Sequence, residues 1–166
     1  MSPHEDIKLA VARAIANSEE IRAYCVENFG RGLAVIVNVY GAEGHPGEKE
    51  APFCWLYSDG TNDSGFVDEE TFEIVCVVGA VDPSPSPSRN VIAERTATRN
   101  GLQVAGIAAQ VEALRELIYN VVNSGSYGAI FRTATRTEAD VADYPLEWAE
   151  MRLSFFEPET ISPATL

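Results

Sequence analysis

The chain has 166 residues, 46% of them hydrophobic and 22% charged, which suits one domain of ordinary size with enough apolar surface to close a core. Twelve basic against 25 acidic residues leave a formal charge of −13, which argues against gripping nucleic acid by its phosphates or docking on anionic lipid. The polar start at Met1–Asp6 has no signal-peptide pattern, and no apolar run approaches the roughly 20 residues that span a bilayer.

Ile7, Val11, Ala14 and Ile15 recur at helical spacing and predict a first helix over Pro3–Ala16. Asn17 with Glu20 resembles a cap and its reciprocal carboxylate, restarting a helix from Ser18 to Asn28 that Gly30 and Gly32 stop. Leu33–Tyr40 is rich in β-branched residues and predicts a strand too apolar on both faces to be a fully exposed edge. Gly41–Ala51, with three glycines, a proline and alternating charges, predicts an exposed loop. Pro52–Ser58 predicts a second strand, Asp59–Gly65 a turn, and Phe66–Val81 a third strand, most regular from Thr71. Turn-like segments between these three strands favour an antiparallel meander.

Asp82–Ser88 places proline at every second position, which removes donors and holds the backbone extended as an exposed excursion. Arg89–Arg99 fits an arm, an edge strand or a loop. Its Arg89, Arg95 and Arg99 are three of the twelve basic residues and make it the candidate interaction segment. Asn100 and Gln103 offer a second cap pair. From there Val104, Ile107, Val111, Leu114, Ile118 and Val121 step by 3, 4, 3, 4, 3 and predict a long amphipathic helix over Gly101–Asn123, ended by Ser124–Gly125. That stripe fits packing on a sheet, with a coiled-coil partner helix as the alternative.

Gly128–Thr137 predicts a strand, and Trp148–Glu157 another after Tyr144–Pro145. In the latter Ala149, Met151, Leu153 and Phe155 alternate with Glu150, Arg152 and Ser154, the pattern of a half-buried sheet. Pro158–Leu166 is expected to be loose. The whole, 1–166, forms one domain with exposed loops at 41–51 and 82–99. The expected fold is α+β: an antiparallel-dominated sheet carrying the long helix and the N-terminal helical segment.

Chemistry-bearing patterns are sparse. Of two histidines, His4 is terminal and His45 sits in a Gly/Pro loop, where a solvated ring is expected. Ser124–Gly128 lacks the first glycine of a nucleophile elbow, and Gly30 and Gly32 lack the third glycine of a dinucleotide fingerprint. Asp59, Thr61, Asp63 and Glu70 fall at calcium-loop positions, but Ser64 stands where glycine is required and the flanks read as strands, so a solvated turn is expected. Cys25, Cys54 and Cys76 are odd in number, widely spaced and flanked by apolar residues, as buried reduced thiols of a cytoplasmic product would be. Nothing singles out two of the 25 acids for paired-carboxylate catalysis. No catalytic, cofactor-binding or metal residue is assigned, and a non-enzymatic role is expected.

The element order resembles that of the tail terminator (tail completion) proteins of long-tailed bacteriophages and prophages. An N-terminal helix and a strand lead to a Pro–aromatic opening, here Ala51–Leu56, then to the long strand Thr71–Val81 and a variable excursion. A Gly-flanked amphipathic helix follows, here Gly101–Asn123, and a final strand after Tyr144–Pro145. The likeness runs from Ile7 to Glu157 and is one of architecture and spacing. It implies a structural virion protein, a homohexameric ring that caps the tail tube and joins it to the head connector, made in the host cytoplasm and carrying no cofactor. A ring through which DNA passes gains from repelling phosphate, although −13 equally serves solubility. The alternatives are another neck or head-completion protein, whose Arg89–Arg99 arm docks on an acidic neighbour, or a soluble enzyme or small-molecule-binding domain.

Overall fold

A computed structural model describes residues 3–38, 44–58, 71–82, 96–99, 102–105, 107–127, 130–137 and 146–156. Helix α1 spans Pro3–Ala16, as its periodicity predicts, and buries Ile7, Val11 and Ile15. Helix α2, Glu19–Phe29, is capped by Ser18, whose hydroxyl accepts from the Ile21 N–H at 3.3 Å. The expected Asn17 cap is thus displaced by one residue, because the Asn17 N–H still bonds Arg13 at the end of α1. Gly30 closes α2 in the left-handed region at φ 82°, returning its N–H to the Val26 carbonyl, a position glycine fills without strain.

The strands are β1 (Ala34–Val37), β2 (Phe53–Tyr57), β3 (Thr71–Val81), β4 (Thr96–Arg99), β5 (Leu102–Ala105), β6 (Ile130–Thr137) and β7 (Leu146–Phe156). Helix α3, Ala108–Ser124, lies between β5 and β6. Five strands form one sheet in the order β1-β2-β3-β7-β6, while β4 and β5 pair as a separate hairpin. All pairings are antiparallel except β1 with β2. The fold is α+β.

Two expectations are corrected. The first three strands are not a meander: β1 runs parallel to β2, and the long segment joining them gives the chain room to return to the same end of the sheet. The long helix does not begin at Gly101, since 102–105 pairs with 96–99 instead. Leu102 and Val104 fit a two-residue period as well as a helical one. The sequence between Arg99 and Leu102 is Asn-Gly, the dipeptide favoured in two-residue hairpin loops. The cap assigned to Asn100 and Gln103 falls with it, and α3 starts with Ile107 at its cap position. β1 is also shorter than expected, ending where Asn38 turns to φ 69°.

The helices occupy one face of the sheet. Val111, Leu114, Ile118 and Val122 of α3 are buried there with the α1 residues, against Cys54, Leu56, Ile74, Cys76, Val78, Met151, Leu153 and Phe155. The alternation expected in β7 is realised, with Ala149, Met151, Leu153 and Phe155 buried. The opposite face carries a smaller apolar cluster of Ala51, Phe53, Val75 and Val77, flanked by Ile36, Trp55, Tyr57 and Trp148. Leu114 is fully buried under α3. Leu114→Ala is expected to cost about 2–5 kcal/mol, read from the denaturant midpoint at unchanged slope. A parent-like midpoint would mean that α3 turns this stripe toward a partner.

Candidate functional site

The segments singled out by sequence separate into three outcomes. Arg89 and Arg95 lie outside the described residues, as do the calcium-like positions 59–70 and the tail 158–166. Arg99 ends β4, opposite Leu102, which makes this end of the ambiguous 89–99 segment a strand. Asp82, expected at the start of an exposed excursion, is 3% exposed and closes β3 on its buried side.

The loop at 41–51, expected to be exposed, packs on the sheet over its described part. Pro46 and Ala51 are buried, and Glu48–Glu50 forms a single 3-10 turn whose Glu50 carboxylate accepts the Gly47 N–H at 2.7 Å. The Arg31 guanidinium donates to the Lys49 carbonyl at 3.1 Å and ties the turn to the approach to β1. His45 is exposed, but its ring meets Trp148 edge-on at 6.0 Å. Glycine and proline marked this loop as irregular, yet pattern alone did not reveal that Ala51 joins the apolar cluster of Phe53 or that the His45 ring meets Trp148.

Three side-chain groups carry chemistry. The first was missed. Lys8 is 2% exposed, its ammonium donating to Glu5 at 2.7 Å and to the Asn38 side-chain oxygen at 2.6 Å. The Asn38 amide donates back to Glu5 at 3.1 Å, and its backbone carbonyl accepts the Trp55 indole N–H at 2.7 Å. The available signal was a lysine between Ile7 and Val11 on the apolar stripe of α1. The network pins α1 to the end of β1.

The second group joins α3 to β6. The Arg136 guanidinium grips Glu116 with two bonds of 2.6 and 2.7 Å and lies 4.6 Å from the Tyr119 ring centre. Those hydrogen bonds hold the Glu116 carboxyl below its usual range and push the Arg136 guanidinium higher. Both side chains are substantially exposed, so the pair orients the edge strand more than it stabilises the fold.

The third group is the thiols. Cys25, Cys54 and Cys76 are free and buried, as expected, with the Cys54 and Cys76 sulfurs 3.5 Å apart. Burial pushes the Cys25 thiol up to about 12, and the Cys76 sulfhydryl followed by burial raises Cys54. Both are therefore held protonated and poorly nucleophilic. Thiol titration is expected to count three in denatured, unreduced protein and none in the native state within minutes; a count of one would mean a disulfide. The unfolded chain releases the Cys25 proton near pH 9 and the folded chain only near 12. The native state then binds more protons across that window, so stability should fall as pH rises from 9 toward 12. Cys25→Ala should flatten that slope in urea melts taken at a series of pH values.

Among the described residues no group of three His, Cys, Asp or Glu side chains is arranged to hold a metal ion, and no helix is long and apolar enough to cross a membrane. A small hollow of about 90 Å³ opens between the start of α2 and the approach to β1, lined by Ser18, Arg22 and Leu33. No protein-family model and no curated protein matches the chain.

Proposed function

We propose that this chain is a structural virion protein that forms a ring on the end of a phage tail tube and joins it to the head connector. What supports the reading is the order of elements. A helical start and a strand lead through Pro52 into β2, then to the long β3, the amphipathic α3 and a closing strand, the order on which the resemblance rests. The β4–β5 hairpin ahead of α3 departs from the expected pattern and shortens the helix.

On this reading the subunit is hexameric in place, with one face of each copy meeting a different face of the next, as closed rotational symmetry requires. The net charge of −13 keeps DNA from adhering as it passes. Arg89, Arg95 and Arg99 meet acidic neighbours, whether adjacent copies or tail and head proteins. Exposed ion pairs contribute only about 0–1 kcal/mol each and weaken with salt, so the ring forms on the tube rather than in dilute solution.

The test mixes purified protein with purified tail tubes and images the tube ends. Parent protein should decorate one end as a ring, and deletion of Ser84–Asn90 should lower occupancy, more so at raised salt. A deletion that folds and caps as well as the parent removes the 82–99 segment from the interface. Parent protein that binds no tube at any salt concentration overturns the tail reading and returns the enzyme or binding-module alternative.

A further inference from the structure

We draw no further inference here: the strongest candidate, the partly exposed aromatic patch of Trp55, Tyr57 and Trp148 on the helix-free face of the sheet, carries none because nothing in the structure shows what covers it.

Discussion

Phe155→Ala is expected to cost about 3–5 kcal/mol, among the largest losses available to a single side chain in this fold. Phe155 lies on β7, which pairs with β3 on one side and β6 on the other. It is fully buried and directly opposite both Phe72 and Phe131. Its ring stacks on Phe72 at 5.4 Å, takes the Phe131 ring edge at 5.4 Å and meets Tyr127 at 6.0 Å. Truncation removes one partner from all three rings at once and leaves a void that the flanking strands cannot close, because their registers are fixed by the ladders. Against a total of about 5–15 kcal/mol, such a loss removes at least about a fifth of the stability and should lower the denaturant midpoint by at least that share. Phe155→Leu, which keeps most of the volume, should cost under about 1.5 kcal/mol. Equal losses for the two variants would mean that ring stacking, not filled volume, holds the cluster.

Legibility followed the strength of each periodic signal. β7 was plain in the sequence, since one face is buried and the other is not, and every second residue from Ala149 to Phe155 obeys that division. α1 was equally plain. The start of α3 was not, because Val104 and Ile107 suit a helical step while Leu102 and Val104 suit a strand, and only the Asn-Gly dipeptide at 100–101 in the sequence favours the strand. The parallel pairing of β1 was illegible for a different reason. A β-branched run specifies a strand but not its direction, and only the length of the following segment carried the information.

The candidate site was legible in part. Composition identified the arginine-rich segment, but Arg89 and Arg95 fall outside the described residues and only Arg99 is placed, at the end of β4. The buried thiols were foreseen from their apolar neighbours. The Lys8–Glu5–Asn38 network was not, because it depends on α1 crossing the end of β1, a contact between residues some thirty positions apart. A lysine at a core position of an amphipathic helix marks such a network only once its partners are known. Likewise, Glu116 and Arg136 are twenty positions apart, and no local pattern joins them.

Gly79 carries the sharpest steric prediction. It sits in β3 between Phe53 of β2 and Trp148 of β7, and the outer end of the Phe53 ring lies against it. A Cβ there would fall inside the contact distance of the ring's Cζ, 2.7 Å from Cε2 and 3.0 Å from Cε1. The ring has little freedom to withdraw, being fully buried and held at its edge by Trp148 at 6.4 Å. Strand propensity favours valine over glycine by up to about 1 kcal/mol, so propensity alone predicts that Gly79→Val stabilises. Overpacking costs about 1–3 kcal/mol or more and opposes it, and with backbone on one side and a buried ring on the other the steric effect wins. Gly79→Ala is expected to lose about 2 kcal/mol and Gly79→Val about 3 kcal/mol or more. The decisive measurement is a double-mutant cycle with Phe53→Leu, which removes the ring atoms that the new methyl would strike. Gly79→Ala in that background should cost at least about 1 kcal/mol less than in the parent, a coupling well above the scatter of additive pairs. Additive losses would mean that the Phe53 ring moves aside freely, and the helix-free face of the sheet would then be loosely packed rather than a second core.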